Sequence, residues 1–187
     1  MPQTRYNRLS LHLARTTASI EANMEFTKRT YKSLGDFFND ISFPIRNRRR
    51  LREVRTRGLV SPAFQERLMM AVTAVNGCRY CSYYHAKEAM RTGIAPEEIR
   101  ELLSGGISNC PDEEAVALMY AQHWAESNAD PDLEAVERLQ QTYGEEKADA
   151  IHLVLRLIRM GNLMGNTWDC FLHHISFGRW GGQRAAK

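Results

Sequence analysis

Two cysteines, a histidine and a glutamate are spaced at intervals that suit thiol chemistry. Cys78 and Cys81 are three residues apart, and His85 follows four residues after Cys81. Glu66 precedes Cys78 by twelve residues. Two cysteines at this spacing can close a disulfide if their side chains converge, and inside cells such pairs are more often catalytic or metal-binding than structural. The spacing therefore indicates a reactive centre.

The position of the cysteines relative to a predicted helix strengthens this interpretation. Asn76 and Gly77 form a pair that typically ends a helix, so Cys78 opens the next one. Free backbone N–H groups and the helix dipole there favour a thiolate over a thiol. Cys81 falls near the third helical position, and His85 lies one turn later on the same face, within reach for proton exchange.

Glu66 belongs to the preceding predicted helix. If the turn at residues 76–77 folds the two helices antiparallel, its carboxylate approaches the thiols and can accept a proton. The alternative is an exposed helix residue that pairs with Arg67 or Arg91. The interval between Glu66 and Cys78 favours the first interpretation.

The pattern formed by Glu66, Cys78, Tyr80, Cys81 and His85 resembles the AhpD-like, carboxymuconolactone decarboxylase-like family of small all-helical proteins. The resemblance extends over about residues 59 to 167. It implies an all-α, AhpD-like helical bundle that assembles as a homo-oligomer.

The resemblance also implies roles for the site residues. Cys81 would be the nucleophile and Cys78 its partner thiol, with His85 and Glu66 as a proton relay. Tyr80 replaces a histidine that AhpD itself has between its cysteines, which makes Tyr80 a candidate supporting residue. Decarboxylase members generally lack the paired cysteines, so the pair argues against lactone decarboxylation.

The function implied is that of a thiol-dependent peroxidase or disulfide oxidoreductase. Its substrate would be a hydroperoxide or a disulfide, and a dithiol, such as a lipoyl group, would supply the electrons. The prediction includes no bound cofactor and no metal. The competing class is a non-enzymatic redox-sensing or interaction protein, which would keep the thiols and show reversible oxidation without turnover.

A CxxC sequence also occurs in thioredoxin-like folds and in structural zinc sites. A thioredoxin-like fold places such a pair after a β-strand, and no strand pattern precedes Cys78. A structural zinc site would need Cys78, Cys81 and His85 to be joined by Cys170, His173 or His174. The segment containing these last three residues is a poor second zinc-binding element, so the thiol signal is the stronger one.

Charge is distributed unevenly along the chain. Residues 1–58 hold 13 Lys and Arg against 5 Asp and Glu, whereas residues 59–187 hold 12 against 17. The densest basic run lies between Arg46 and Arg57. We interpret it as a solvated helix face that pairs with acidic residues of the same protein or a neighbouring subunit, because no motif that reads a nucleic-acid groove accompanies it. The alternative is a surface that attracts nucleic acid or anionic lipid, and of the two we favour the solvated face, so no nucleic-acid partner is predicted.

Apolar residues recur at helical intervals throughout, and sustained strand alternation is absent from the sequence pattern. Proline and glycine positions predict helices near 62–75, 78–91, 96–104, 112–126, 131–142 and 145–174, with one or two more before Pro44. We divide the chain into a basic helical extension (1–58), an AhpD-like core (59–178) and a frayed tail (179–187).

The sequence contains no apolar run of about 20 residues, the length that a membrane-spanning helix needs. The first residues are not followed by the apolar core of a signal peptide. We therefore expect a cytoplasmic protein without a membrane span.

Overall fold

The computed structural model describes residues 26–181, and within this range every regular element is an α-helix. The helices are α1 (Leu34–Arg46), α2 (Arg48–Thr56), α3 (Pro62–Asn76), α4 (Arg79–Arg91), α5 (Pro96–Leu103), α6 (Asp112–Glu126), α7 (Leu133–Tyr143) and α8 (Glu145–Ile175). The predicted all-α fold is confirmed, while the predicted homo-oligomer stays a prediction.

The ends of α3 follow from local chemistry. Pro62 occupies the first turn, where its missing N–H costs nothing, and the Ser61 hydroxyl accepts a hydrogen bond from the backbone N–H of Phe64 at 3.2 Å. At the other end Gly77 adopts a left-handed conformation with φ of 67° and stops the helix. The turn predicted at residues 76–77 is confirmed.

Helix α3 is the centre of the larger packing unit. It contacts α4, α5 and α6. Its buried apolar residues lie on several sides of the helix, as expected for an element surrounded by others. They are Phe64, Leu68, Met69, Met70, Ala71 and Val72.

An ion-pair cluster reinforces the contacts of α3. The guanidinium of Arg67 bonds Glu98 of α5 at 2.5 Å and Glu114 of α6 at 3.2 Å, and the three side chains are largely buried. Arg91 pairs instead with Glu88 on its own helix. Arg67 and Arg91 thus pair with other carboxylates. This excludes the alternative in which Glu66 is an exposed residue paired with one of them.

The region around Pro44 differs from the prediction. Within residues 26–181 one helix begins before Pro44, and it continues through the proline to Arg46. A second helix, α2, follows at Arg48 within the basic run, which the sequence analysis interpreted as a helix face without giving its bounds. Pro44 removes one hydrogen bond from the interior of α1, and Phe43 beside it is buried in the hydrophobic core. Any helix before residue 26 lies outside the described residues.

The basic run pairs with acidic residues of α8 at two positions. Arg50 bonds Asp149 at 2.9 Å, and Arg57 bonds Glu146. This agrees with the interpretation of the run as a solvated face. All four side chains are about half exposed, so each pair contributes at most about 1 kcal/mol.

The described residues form two compact units, one of residues 29–166 and the other of residues 26–28 with 167–181. Helix α8 runs from the first into the second. In the smaller unit the ammonium of Lys28 lies 3.5 Å from the buried carboxylate of Asp169, and the rings of Phe26 and His173 are in contact. Among residues 26–181 no helix has the length and apolar character needed to cross a membrane.

Replacing Gly77 by alanine is expected to lower the free energy of unfolding by about 1–2 kcal/mol, because a β-carbon is strained at a positive φ. Urea unfolding measures the loss. Gly58 is a matched control, since its φ is 64° and a β-carbon there would meet nothing within 4 Å. We expect the same loss for Gly58→Ala but altered thiol oxidation only for Gly77→Ala. Unchanged stability of Gly77→Ala would contradict the assignment.

Candidate active site

The end of α3 and the start of α4 place both cysteines at one helix N-terminus. Cys78 is the N-cap residue of α4, and its Sγ accepts the backbone N–H of Cys81 at 3.3 Å. The two sulfurs are 2.8 Å apart, so one thiol can donate a hydrogen bond to the other. This separation is longer than the roughly 2.05 Å of a disulfide bond. The predicted location of the pair at a helix start is confirmed.

The two sulfurs differ in access to solvent. Cys78 is fully buried, whereas Cys81 is partly exposed. Cys81 is therefore the less buried member of the pair. This difference fits the predicted division into an attacking and a partner thiol.

The two sulfurs compete for one negative charge. The hydrogen bond with Cys78 raises the pKa of Cys81 above its ordinary value, and burial and the charge of Cys78 raise it further. A hydrogen bond from the side chain of Asn162 acts in the opposite direction. The pair therefore loses its second proton with difficulty, and the two thiols titrate as a unit.

Glu66 and His85 meet across the α3–α4 turn. Oε2 of Glu66 lies 2.8 Å from Nδ1 of His85, and both side chains are almost nine-tenths buried. An Nδ1–H that donates to the carboxylate leaves Nε2 as the proton acceptor. The structure thus brings together Glu66 and His85, the two residues of the predicted proton relay. His85 lies one turn after Cys81 on α4.

Tyr80 lies beside the cysteines and is 41% exposed. Its hydroxyl accepts a hydrogen bond from the guanidinium of Arg79 at 2.8 Å, and the guanidinium also lies over its ring. A supporting role for Tyr80 stays a prediction.

Helix α8 contributes residues that the sequence analysis missed. Asn162 and Asn166 are fully buried, and both bond to the end of α3. Gly161 and Gly165 precede them on the face near the cysteines. The available signal was the Gly-Asn pair that occurs twice, four residues apart, inside a predicted helix where glycine is unfavourable.

The residues considered for a zinc site lie on different parts of the fold. Cys170, His173 and His174 belong to the last turns of α8, where Nδ1 of His174 donates to the carbonyl of Cys170 at 2.7 Å. In the part of the chain that the structure describes, no group of three or more His, Cys, Asp or Glu side chains could hold a metal ion.

Residues 46–127 match the model of the carboxymuconolactone decarboxylase family. The matched range contains Glu66, Cys78, Cys81 and His85, and the predicted family resemblance is confirmed. The match begins inside the segment that we assigned to the N-terminal extension and ends before α8. The domain boundaries stay predictions. Neither a curated protein nor a solved structure matches the chain.

Replacing Cys78 by alanine is expected to lower the pKa of Cys81, because it removes the neighbouring sulfur that opposes a second negative charge. The rate of Cys81 alkylation, followed by mass spectrometry against pH, should reach half its maximum at a lower pH than in the unsubstituted protein. Mutation of Cys110, whose pKa burial raises to about 12, should leave that midpoint unchanged.

The same measurement tests the assignment of the nucleophile. In the unsubstituted protein Cys81 should be alkylated before Cys78, because Cys78 is fully buried. Faster modification of Cys78, or a Cys81 midpoint that does not move in Cys78→Ala, would contradict the assignment.

The glycines of α8 provide a second, steric test. A β-carbon at position 165 would lie 2.7 Å from Sγ of Cys78, whereas one at position 161 would lie 3.9 Å from Sγ of Cys81. Gly165→Ala should therefore cost about 1–3 kcal/mol and slow disulfide formation. Gly161→Ala should be neutral or stabilise the helix slightly. Equal effects of the two substitutions on stability and oxidation would show that Cys78 does not need this space.

Proposed function

We propose that residues 46–127, which match the carboxymuconolactone decarboxylase family, act together with α8 as a thiol-dependent peroxidase or disulfide oxidoreductase. One observation carries the proposal. The sulfurs of Cys78 and Cys81 lie 2.8 Å apart at the N-terminus of α4. His85 follows Cys81 by one turn on the same helix and bonds Glu66 of α3. The arrangement combines a nucleophile, a resolving thiol and a proton acceptor.

The reaction with a hydroperoxide proceeds in two steps. The Cys81 thiolate attacks the O–O bond, so that a sulfur–oxygen bond forms and an alkoxide leaves as the alcohol after protonation. Cys78 then attacks the sulfur of the Cys81 sulfenic acid, a disulfide forms, and the hydroxyl group leaves as water with a proton. The two thiols supply the two electrons that reduce the hydroperoxide.

His85 and Glu66 handle the protons of these steps. Nε2 of His85 accepts the proton of the Cys81 thiol, and the Glu66 carboxylate bonded to Nδ1 stabilises the imidazolium that forms. The imidazolium then returns the proton to the leaving oxygen. The hydrogen bond to Glu66 also keeps His85 in the tautomer that carries its proton on Nδ1, so that Nε2 can accept a proton.

A dithiol returns the enzyme to its reduced form. One of its thiolates attacks the Cys78–Cys81 disulfide to give a mixed disulfide, and its second thiol displaces the protein thiol. A substrate disulfide would be reduced by the same exchange in the opposite direction. Cys81, the less buried of the two cysteines, is the sulfur that takes part in either exchange. A reductant with two thiols, such as a dihydrolipoyl group, can carry out both the attack and the displacement.

The proposal is tested by steady-state consumption of an alkyl hydroperoxide with dihydrolipoamide as reductant. Glu66→Gln and His85→Ala should each lower turnover by about 10²- to 10⁴-fold, because each removes part of the proton transfer. Cys81→Ser should abolish turnover, and Cys110→Ser serves as the matched thiol control. Circular dichroism and melting establish that the variants are folded.

The outcomes separate the proposed enzyme from a redox sensor. A sensor would form the Cys78–Cys81 disulfide with one equivalent of peroxide but would show no turnover with excess reductant. Unchanged turnover in both Glu66→Gln and His85→Ala would exclude the proton relay. If hydroperoxides are not consumed but a low-molecular-weight disulfide is reduced under the same conditions, the protein is a disulfide oxidoreductase and not a peroxidase.

A further inference from the structure

A cavity lined by the α1–α2 junction and by α8 collects three arginines, and we call it the arginine cavity. Arg46 and Arg50 belong to the basic run, whereas Arg156 comes from α8. The cavity has a volume of about 470 Å³, within the range of about 300–1,000 Å³ that is typical of sites for small molecules. The other lining residues are Phe43, Asn47, Asp149, His152 and Leu153.

Two of the three guanidinium groups are not neutralised by a carboxylate. Arg50 bonds Asp149 at 2.9 Å. Arg46 donates instead to two neutral oxygens of Asn39, the side-chain Oδ1 at 2.6 Å and the backbone carbonyl at 3.0 Å. The guanidinium of Arg156 lies over the ring of Phe43, 4.2 Å from its centroid. Because Asp149 is the single acidic residue among the described residues of the lining, two positive charges stay uncompensated.

The uncompensated charges match those of a phosphate group. Like charges that share a cavity repel each other, and an anion bound between them removes this repulsion. A phosphate monoester carries a charge of about −1.5 to −2 at pH 7, which two guanidinium groups balance, whereas a single carboxylate would balance one. Arginine also binds phosphate oxygens through pairs of parallel hydrogen bonds. The charge balance therefore favours phosphate over carboxylate as the ligand group.

The first turn of α2 adds backbone donors at the same place. Asn47 is the N-cap residue of α2, but its side chain donates to the carbonyl of Phe43 at 3.0 Å and caps no N–H group of this turn. Asn47 and Arg50 both line the cavity, so α2 begins at its edge. Uncapped N–H groups at a helix N-terminus are favourable partners for phosphate oxygens.

His152 adds a donor from α8. Its Nε2 lies 3.0 Å from the hydroxyl of Tyr120. Burial raises the pKa of Tyr120 to about 12 and lowers the pKa of His152, so the phenol keeps its proton and the imidazole is neutral at pH 7. When the hydroxyl donates to Nε2, the imidazole proton lies on Nδ1 and can be donated to an anion.

We propose that the arginine cavity binds the phosphate group of a small, soluble phosphorylated compound, which is held by Arg46 and Arg156. Arg50, oriented by Asp149, lies beside it as a further donor. The apolar side chain of Leu153 lines the same cavity and offers a contact to the organic part of the compound. The cysteines, Glu66 and His85 do not line this cavity, so the proposed binding is independent of the thiol chemistry.

Calorimetric titration of the full chain with inorganic phosphate, and separately with pyrophosphate, tests the proposal at constant ionic strength. We expect saturable binding at a single site. Arg46→Gln and Arg156→Gln should each weaken it about 10-fold or more, because each removes a charged donor. Arg55→Gln is the matched control, since it removes the same charge from an exposed position of the basic run outside the cavity. Its affinity should stay within about twofold of the unsubstituted protein.

Asp149 provides a variant with the opposite effect. Asp149→Asn removes the negative charge from the cavity and leaves Arg50 without its carboxylate, so phosphate binding should tighten about 10-fold. Glu146→Gln is its control, because it removes the same charge one turn earlier on α8, from the pair with Arg57 outside the cavity. This control should leave the affinity unchanged.

Three results would overturn the proposal. The first is no binding of phosphate or pyrophosphate at millimolar concentrations. The second is an equal loss in Arg46→Gln, Arg156→Gln and Arg55→Gln, which would assign the binding to the general charge of the basic run. The third is tight binding of a DNA duplex that all three substitutions weaken equally, which would identify a nucleic-acid surface. Melting curves establish that the variants are folded. If Arg156→Gln does not fold, Arg46→Gln and Asp149→Asn with their controls decide the question.

Discussion

The thiol site depends on the buried hydrogen bonds that join the end of α3 to α8. The side chain of Asn76 donates a hydrogen bond to Asn162, and its backbone carbonyl accepts one from Asn166. Two residues of α8 therefore hold the last residue of α3 in place. Gly77 and Cys78 follow immediately. Because buried amides are costly without partners, this network tolerates few alternative arrangements. It therefore fixes where α4 begins and where both sulfurs lie.

The chemistry of the pair follows from sharing one negative charge in a restricted volume. Burial and proximity oppose two thiolates, so deprotonation of one sulfur keeps the other protonated. A protonated thiol beside a thiolate is the state that a two-step reaction needs, since each sulfur acts as the nucleophile in turn. The partial exposure of Cys81 and the burial of Cys78 set the proposed order of the steps.

Helix positions were predictable wherever a local signal marked an end. Pro62, Pro96 and Gly77 mark helix ends that the structure confirms. Pro44 was misleading, because a proline inside a helix is locally unfavourable, whereas this helix continues through it beside the buried Phe43. The bounds of α2 were not predicted for a related reason. Its run of arginines has little apolar periodicity, and its contacts with Asp149 and Glu146 are distant in sequence.

The sequence by itself determined the all-helical class, the pairing of Cys78 with Cys81 at a helix start and the candidacy of Glu66 and His85. Spacing along one helix, or across one short turn, is enough for such assignments. Only the tertiary structure decided that Glu66 bonds His85, that Gly165 lies against Cys78 and that Asn162 bonds the end of α3. The glycine and the asparagine come from α8, roughly eighty positions later, and packing rather than local spacing brings them to the site.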